Sequence, residues 1–369
     1  MRLAIIRRRY AQFGGAERFI ETTAREFGRE GIELSIVTES WDGERDGIKQ
    51  IAVPARGLTR AGRLANFQRE VTGIVAREKF DLVQSHERLV TADIFRAGDG
   101  VHAAWVSRQA AERGPLRAML MRLDPMHRLV MATERRMARE TPMMFVANSG
   151  LVAREIADWL GVPAGRIRTI ENGVDIAAFR PPTMEQRAAA RARFGLAADA
   201  QVMAFVGSGF ERKGAFQLVE ALALPACRGV YALIAGRDRQ LETLRRRLEA
   251  LGLSGRVQVF GGVDTPLPVY QAADLFALPS LYDPMPNAAL EALACGLPVL
   301  TTADTGIADA VRESGAGVIV TRDPESIAAG ITAILGKRAD MATAARVLAP
   351  RFDLAAATAR WLALYRELA

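Results

Sequence analysis

The sequence predicts an α/β protein with two doubly wound parallel sheets. Short apolar runs alternate with helical segments in two series, and a stretch containing Asn-Gly and Pro-Pro separates the series. Repeated alternation of strand and helix is the pattern of a parallel sheet covered by helices. The chain has 369 residues, of which 50% are hydrophobic and 25% charged, so it is long enough to bury two cores.

The first series begins almost at the first residue. Its predicted strands cover residues 2–6, 32–38, 48–53, 81–85 and 143–148. Helices are predicted up to about residue 30, after a Gly-Gly pair, and over residues 63–79. Residues 107–140 are basic and rich in Met and Leu, with breaks at Gly114-Pro115 and Asp124-Pro125.

The second series follows a predicted domain boundary. A strand over residues 167–170 leads into Glu-Asn-Gly-Val-Asp, a tight turn, and then into Pro181-Pro182, a stiff exit. The later strands are predicted over residues 202–206, 230–235, 257–260 and 275–278, the helices over residues 216–223 and 239–251, and a last amphipathic helix from about residue 352. We therefore expect an N-terminal domain over residues 1–170, joined by a helix over about 353–369, and a C-terminal domain over 171–352.

Composition narrows the classes of protein. Cys227 and Cys295 lack metal-ligand spacing and no secretory signal precedes the first strand, which predicts a reducing cytoplasm. No apolar run approaches the roughly 20 residues of a membrane span. The net charge of +7 comes mostly from Arg and indicates an anionic partner: a nucleotide, a phosphorylated saccharide, nucleic acid or a membrane surface.

Residues 279–298 are the most informative stretch, because they connect a predicted buried strand to a helix through a Pro-rich turn. Asn287 is predicted to cap this helix and Gly296 to end it. Free N–H groups over residues 288–290 and the helix dipole would attract a phosphate. Asp283 and Glu291 would accept hydrogen bonds from hydroxyls on either side of a diphosphate, as in a nucleotide sugar. The residues alone fit an ordinary turn and helix with two surface acids comparably well.

A second candidate for phosphate binding is Val-Gly-Ser-Gly-Phe-Glu-Arg-Lys-Gly, which ends at Gly214. Arg212 stands where a dinucleotide fingerprint has its third glycine, and no Gly-Lys-Ser/Thr closes a Walker A loop. The loop therefore offers two cations, Arg212 and Lys213, at the carboxyl edge of the sheet.

Candidates in the first domain are weaker. Gly14 and Gly15 let the backbone approach a ligand after the first strand. Asp99 and His102 lie in the Gly-rich segment Phe-Arg-Ala-Gly-Asp-Gly-Val-His. In isolation this segment is better explained as a capped turn, and His127 as a structural or surface residue.

The acidic pair Asp283 and Glu291, separated by seven residues, and the following Ala-Leu-Ala-Cys-Gly-Leu-Pro-Val resemble the signature of the retaining family 4 glycosyltransferases of GT-B fold. Gly-Gly-Ala-Glu-Arg, Val-Ala-Asn-Ser and Asn-Gly-Val-Asp-x3-Phe are similar to other hallmarks of that family. Two positions depart from the family pattern: Asp283 stands where Glu is usual, and Ser208 where Arg is usual. The phosphate loop and the segment ending at His102 resemble the lipopolysaccharide-core branch.

The resemblance implies two Rossmann-like domains with a cleft between them and a C-terminal crossover helix. It implies that Asp283 binds the donor sugar and Glu291 the ribose, and that Asp99 and His102 approach the transferred sugar. The implied catalytic residues are Asp99, His102 and Lys213; the donor-binding residues are Gly207, Arg212, Lys213, Asp283, Met285, Asn287, Ala288 and Glu291; the acceptor-binding residues are Gly14, Gly15 and Arg18.

The expected function is transfer of a hexose, with retention, from a nucleotide sugar such as UDP-glucose to a saccharide or glycolipid acceptor such as the lipopolysaccharide core. Because no Asp-x-Asp occurs, we expect no metal and no cofactor, and charge on the leaving group would be stabilised by Lys213, Arg212 and the helix N-terminus. A nucleotide-sugar epimerase or a hydrolase could share this fold. A nucleic-acid-binding protein is disfavoured, because a stacking surface, zinc spacing and a recognition helix are lacking.

Residues 107–140 carry eight arginines and four acids, a net charge of +4, among many Met and Leu residues. A basic helix with an apolar face can lie on an anionic membrane. Two helices packed into the core would explain the same composition. Because a lipopolysaccharide acceptor is itself membrane-bound, we expect peripheral association with the inner face of the cell membrane.

Overall fold

The computed structural model describes residues 1–10, 27–28, 30–41, 48–114, 119–121 and 123–369. The chain forms two compact units, Met1–Glu171 with Ala356–Ala369, and Asn172–Ala355. The predicted divisions, after residues 170 and 352, lie one and three residues from those of the structure.

The N-terminal unit contains a seven-stranded parallel sheet among its described residues, in the order β5-β3-β1-β6-β7-β8-β9. The strands are β1 (Arg2–Ile6), β2 (Arg9–Tyr10), β3 (Glu33–Thr38), β4 (Ser40–Trp41), β5 (Ile48–Ala52), β6 (Leu82–Ser85), β7 (Ile94–Ala97), β8 (Met144–Ala147) and β9 (Ile167–Thr169); β2 pairs with β4. The helices are α1 (Arg60–Glu78), α2 (His102–Arg113), α3 (Pro125–Glu140) and α4 (Gly150–Leu160). Residues 3–6 of β1 are fully buried, as expected for a central parallel strand covered on both faces.

The C-terminal unit has a six-stranded parallel sheet among its described residues, in the order β12-β11-β10-β13-β14-β15. Its strands are β10 (Gln201–Val206), β11 (Val230–Ala235), β12 (Val257–Phe260), β13 (Leu275–Leu278), β14 (Val299–Thr302) and β15 (Gly317–Val320). Its helices are α5 (Met184–Arg193), α6 (Phe210–Lys213), α7 (Ala215–Ala223), α8 (Leu241–Ala250), α9 (Leu267–Ala272), α10 (Asn287–Ala294), α11 (Ala308–Ser314), α12 (Pro324–Gly336) and α13 (Arg338–Leu348).

The last helix, α14 (Leu354–Leu368), packs on the N-terminal sheet, as predicted. Trp361, Leu364 and Tyr365 join the core that contains β1 and β3. The Tyr365 hydroxyl donates to Gln84 Oε1 at 2.7 Å, so this helix is attached to β6 by a buried hydrogen bond as well as by apolar contacts.

Side-chain caps explain where several helices begin. Thr59 accepts from the Gly62 N–H at the start of α1, and Ser149 accepts from the Val152 N–H at the start of α4. The predicted break at Asp124-Pro125 is a helix start, in which Asp124 caps and Pro125 takes the first helical position. The predicted break at Gly114 is the end of α2.

In each sheet, the order in which successive strands are added reverses once. Successive strands extend the N-terminal sheet away from β1 on one side and from β6 on the other, and the C-terminal sheet away from β10 and from β13. Ligands of open α/β sheets bind beyond the carboxyl ends of the strands at such switch points. The topology therefore predicts ligand sites at the loops after β1 and β6 and at those after β10 and β13.

Five strands were not predicted: Ile94–Ala97, Val299–Thr302, Gly317–Val320 and the two-residue strands β2 and β4. The first was interpreted as part of the Gly-rich turn, which is confined to residues 98–100. The predicted helix that ends near residue 30 falls largely outside the described residues. No helix in the described part of the chain is both long and apolar enough to cross a bilayer.

Candidate active site

The loop after β10 places two cations at the carboxyl edge of the C-terminal sheet. Gly207 has φ of +154°, and a Cβ atom there would lie 2.7 Å from Lys213 Cδ. A side chain at this position would therefore collide with the lysine stem, which passes directly over the glycine. The short helix α6 then presents Arg212 and Lys213.

Lys213, Arg212 and Asp283 form one charged cluster. Lys213 Nζ donates to Asp283 Oδ2 at 2.8 Å, and Arg212 Nη1 lies 3.6 Å from the same oxygen. The side chains of Lys213 and Asp283 are 13% and 10% exposed, so the pair is largely shielded from water. Arg212 Nη1 also donates to the Tyr282 carbonyl at 2.8 Å. The two cations are thus held in place by the loop that the acidic signature occupies.

Backbone donors at the start of α6 have a partner within the protein. The N–H groups of Gly209 and Phe210 donate to Asp238 Oδ2 at 2.7 and 2.8 Å. A carboxylate therefore occupies the position that a phosphate takes in a typical Gly-rich loop. In this arrangement the side chains of Arg212 and Lys213, not these two backbone groups, offer charge to a diphosphate.

Hydrogen bonds hold the loop after β13 against the end of β14 and the loop that follows it. The Asp283 N–H donates to the Asp304 carbonyl at 3.1 Å, and the Gly306 N–H donates to the Asp283 carbonyl at 2.9 Å. The hydroxyls of Thr301 and Thr302 donate to the carbonyls of Leu278 and Ser280 at 3.0 and 2.6 Å. Asp283 is therefore held by backbone bonds on both sides of its side chain.

The N-terminus of α10 differs from the prediction. Pro286, not Asn287, is the N-cap, and no side chain caps this helix end. The N–H groups of Ala289 and Leu290 donate to the Pro286 carbonyl at 3.0 and 3.3 Å, so two of the three predicted phosphate donors are already satisfied. Ala288 remains the candidate among the three.

Asn287 and Met285 are held by a residue of the Asn-Gly-Val-Asp turn. Asn172 Nδ2 donates to Asn287 Oδ1 at 2.8 Å and to the Met285 carbonyl at 3.3 Å. The sequence indicated Asn172 only as part of the linker turn and of a family hallmark, with no role at the site. Its contacts instead fix the Pro-rich turn that leads into α10.

Glu291 lies on the buried side of α10, with 6% of its surface exposed. The hydroxyl of Tyr270, which is fully buried, donates to Glu291 Oε2 at 2.9 Å. Burial, reinforced by the Glu291 carboxylate, raises the pKa of the Cys295 thiol to about 12. The thiol therefore stays protonated at neutral pH and is not a nucleophile.

In the N-terminal unit, Asp99 occupies the turn after β7, and 66% of its side chain is exposed. Arg7 Nη1 and Arg88 Nη1 each lie 3.9 Å from Asp99 Oδ2. Arg88 is held by Glu134, which accepts from Arg88 Nε at 3.1 Å, and by the Gly100 carbonyl. The carboxylate of Asp99 thus faces two guanidinium groups while remaining open to solvent.

His102 begins α2 and belongs to an aromatic cluster. Its Nε2 lies 2.9 Å from His127 Nδ1, and its ring stacks on Trp105 with centroids 5.4 Å apart. Its backbone N–H donates to Glu134 Oε1 at 3.0 Å. Burial, with help from Arg88 and His127, lowers the pKa of His102 to about 4, so its imidazole is neutral at pH 7. His127, which was interpreted as a structural or surface residue, is hydrogen-bonded to this candidate catalytic residue.

A cavity of about 370 Å³ opens beside Asp99. Its lining includes five arginines: Arg7, Arg8, Arg9, Arg60 and Arg63. Glu87, Asp99 and Met126 also line it. Burial raises the pKa of the Glu87 carboxyl, against the opposing effect of Arg7.

The structure leaves part of the predicted site undescribed. Gly14, Gly15 and Arg18, the predicted acceptor-binding residues, lie outside the described residues. Within the described ranges, no group of three or more His, Cys, Asp and Glu side chains is arranged to hold a metal ion.

Sequence motifs indicated Arg212, Lys213, Asp283 and Glu291, and the structure brings the first three together. They did not indicate the positioning residues Tyr270, Asp238, Asn172 and Glu134. A buried tyrosine, or an acid just after a strand as at Asp238, is too common a feature to signal a site. Only the three-dimensional structure shows which candidate site residue or loop each of them contacts.

Comparisons with known proteins place the chain in a family. Residues 186–347 match the family described as Glycosyl transferases group 1, and residues 13–178 match Glycosyltransferase Family 4. D-inositol 3-phosphate glycosyltransferase of Nocardia farcinica is 31% identical over 360 residues, which span 88% of this chain and 78% of that protein. Lipopolysaccharide glucosyltransferase WaaG of Escherichia coli K12 is 27% identical over 325 residues, 85% of this chain and 83% of WaaG.

Solved structures show the same fold. A crystal structure of WaaG, a glycosyltransferase involved in lipopolysaccharide biosynthesis, matches with a TM-score of 0.83 at 24% identity, over 97% of this chain and 98% of that one. The Anabaena protein HepE in complex with UDP-glucose matches with a TM-score of 0.76 at 19% identity, over the full length of both chains. With its two parallel-sheet Rossmann-like units and these matches, the chain belongs to the group 1 glycosyltransferases of GT-B fold.

Proposed function

We propose that this glycosyltransferase moves a hexose, with retention, from UDP-glucose to a saccharide or glycolipid acceptor of the lipopolysaccharide-core type. The observation that carries the donor assignment is the shielded cluster of Lys213, Arg212 and Asp283 at the switch point of the C-terminal sheet. The names of WaaG and of the HepE complex support a glucosyl donor.

Within this proposal the cations of the cluster bind the diphosphate. Lys213 and Arg212 stabilise the negative charge that grows on the leaving phosphate as the sugar departs. Asp283, held against Lys213, accepts hydrogen bonds from the sugar hydroxyls, and Glu291 accepts them from the ribose. Because these groups supply the charge, we propose that transfer needs no metal and no cofactor.

The chemical step is a front-face substitution. A bond forms between the acceptor oxygen and the anomeric carbon while the bond between that carbon and the phosphate oxygen breaks. The acceptor proton passes to the departing phosphate, so UDP leaves with one more proton and no covalent intermediate forms on the enzyme. Asp99 and the neutral His102 orient the acceptor and the transferred sugar in this scheme.

A screen of nucleotide sugars by thermal unfolding tests the proposal. A ligand present at a hundred times its Kd adds about 2.7 kcal/mol to stability, and we expect that effect from UDP-glucose. Donor incubated without acceptor tests the two rival activities. Formation of an epimerised sugar would identify the protein as an epimerase instead of a transferase. Rapid release of free sugar would identify it as a hydrolase.

We also propose that residues 107–140 bind the surface of an anionic membrane. Met119, Leu120 and Leu123 are 60%, 59% and 56% exposed, which is unusual for large apolar side chains so close together. Arg113 and Arg128 are also exposed, and Arg117 and Arg122 lie outside the described residues. Exposed apolar and basic side chains together are what an interfacial segment requires.

Sedimentation with vesicles containing anionic lipid tests this membrane proposal. We expect the triple variant Met119→Ser, Leu120→Ser, Leu123→Ser to lose most of its binding at low salt. The matched control replaces three exposed apolar residues elsewhere, Leu58, Met184 and Val347, by serine and should bind as wild type does. Equal binding by both variants would refute the assignment.

A further inference from the structure

We propose that the arginine-lined cavity of the N-terminal unit binds a phosphate group, or a similar dianion, carried by the acceptor. This inference rests on the proposed function, because it names the chemical class of the acceptor. It assigns the binding to Arg7, Arg8, Arg9, Arg60 and Arg63, none of which the sequence analysis named as a candidate site residue.

The five arginines converge although they come from distant parts of the chain. Arg7, Arg8 and Arg9 follow the carboxyl end of β1, while Arg60 and Arg63 open α1, which follows the carboxyl end of β5. Asp99 follows β7. The cavity therefore lies at the carboxyl edge of the parallel sheet, beside the β1–β6 switch point, where this class of fold binds its ligands.

The charges of the cavity are unbalanced. Among the described residues, five guanidinium groups meet three carboxylates, those of Glu87 and Asp99 in the lining and that of Glu39 beside Arg8, so positive charge remains in excess even with all three acids ionised. Contacts to neighbours hold two of the cations in place: Arg8 Nε lies 2.9 Å from Glu39 Oε2, and Arg63 Nε donates to the Gly57 carbonyl at 2.9 Å. A bound dianion would relieve the repulsion among the remaining charges, and guanidinium groups bind phosphate oxygens in pairs.

Size and position favour a group on the acceptor. A volume of about 370 Å³ lies within the range of small-molecule sites and exceeds what a phosphate alone requires. The donor diphosphate is assigned to Lys213 and Arg212 in the other unit. Because Asp99 lines the cavity, a saccharide phosphate bound by the arginines would place its sugar next to a candidate catalytic residue.

Isothermal titration of the full chain with three probes tests the inference: glucose 6-phosphate, inorganic phosphate and glucose. Each titration is done with saturating UDP, which blocks the donor phosphate site, and at constant ionic strength. The test variant is R60Q/R63Q, on the exposed start of α1. The control is R69Q/R77Q on the same helix, which loses the same charge outside the cavity lining.

We expect both phosphates to bind wild type saturably and glucose not to bind. Affinity for both should fall at least tenfold in R60Q/R63Q and stay unchanged in R69Q/R77Q. Equal affinities in the two variants, or binding of inorganic phosphate without glucose 6-phosphate, would overturn the inference. A separate titration of UDP tests the proposed function: failure of wild type to bind UDP would remove that function, whereas normal UDP binding without phosphate binding would remove only this inference.

Discussion

The candidate site residues of the two units differ in how deeply they are buried and in how closely their charges are paired. In the C-terminal unit, Lys213 Nζ lies 2.8 Å from Asp283 Oδ2, and both side chains are nearly buried. In the N-terminal unit, Asp99 is 66% exposed, and the guanidinium nitrogens of Arg7 and Arg88 lie 3.9 Å from its carboxylate. A preorganised cluster stabilises developing charge without rearranging, whereas an open site of loosely placed cations requires its ligand to complete it. The difference suits a common donor bound by one unit and a more variable acceptor bound by the other.

The largest effect that would sharpen this comparison is expected from Lys213→Ala. Removing one preorganised donor to a leaving group typically costs about 10²–10³ in kcat, and Lys213 is shielded enough to act in this way. Transfer kinetics and UDP affinity should be measured together, with Lys337→Ala as an exposed control in the same unit. Equal losses of ground-state affinity and kcat/KM, with kcat unchanged, would show that the lysine contributes only uniform binding.

The open site should respond differently. We expect Asp99→Asn and His102→Ala to lower transfer by about 10²-fold, because in the proposed mechanism each residue positions the acceptor or the sugar. UDP affinity should stay within about twofold in both variants, since the nucleotide is assigned to the other unit. Asp158→Asn changes an exposed carboxylate of the same unit and serves as control. Normal transfer by either variant would show that the substituted residue has only a structural role in the turn.

Strands that consist mostly of apolar residues could be predicted from the sequence. Residues 2–6, 230–235, 257–260 and 275–278 match the structure, because each run is bounded by polar residues or by glycine or proline. Strand β7 was not predicted, because Arg96 is buried within it at 6% exposure. Strand β14 ends in Thr301 and Thr302, whose hydroxyls bond to carbonyls more than twenty residues away. Polar residues whose partners are distant in sequence do not show a strand pattern.

The same limit applies to the two sites. The acidic signature indicated Asp283 and Glu291, but the ion pair from Asp283 to Lys213 joins residues 70 positions apart. The described lining of the arginine cavity comes from five segments of the chain, and its five cations were visible only as an excess of net charge. Local motifs therefore indicated the candidate donor site, whereas the cavity became apparent from the fold.

The junction between the phosphate loop and β13 gives a third test. Gly214 has φ of +83°, and a Cβ atom there would lie 2.3 Å from the Pro279 carbonyl oxygen. We expect Gly214→Ala to destabilise the protein by about 2–4 kcal/mol, from backbone strain and the clash together. The control is Gly315→Ala, where φ is +70° and no other atom lies within 4 Å of the Cβ position, so only about 1–2 kcal/mol is expected. Equal free energies of unfolding in the two variants would show that the loop can move away.

A further test concerns the dependence of stability on pH. The pKa of His102 is about 4 in the folded protein and about 6.5 in an unfolded chain. Below pH 6.5 the unfolded state binds a proton that the native state does not, so the free energy of unfolding should fall as pH falls from about 6.5 to 4. Above pH 6.5 His102 is neutral in both states and contributes no slope. Urea unfolding at several pH values should show a shallower fall for His102→Gln, and an identical slope would show that the ring is not shielded.

The most direct test of the central claim, that the C-terminal unit binds the donor, is the affinity for UDP measured by isothermal titration. If Glu291 binds the ribose as proposed, Glu291→Ala removes charge-assisted hydrogen bonds each worth about 1.5–3 kcal/mol, so we predict at least a tenfold loss. Tyr270→Phe, which keeps the carboxylate but removes its buried donor, should bind UDP within about threefold of wild type, and Asp99→Asn should be unchanged. Unchanged affinity in a folded Glu291→Ala variant, with a loss in Asp99→Asn, would contradict the account.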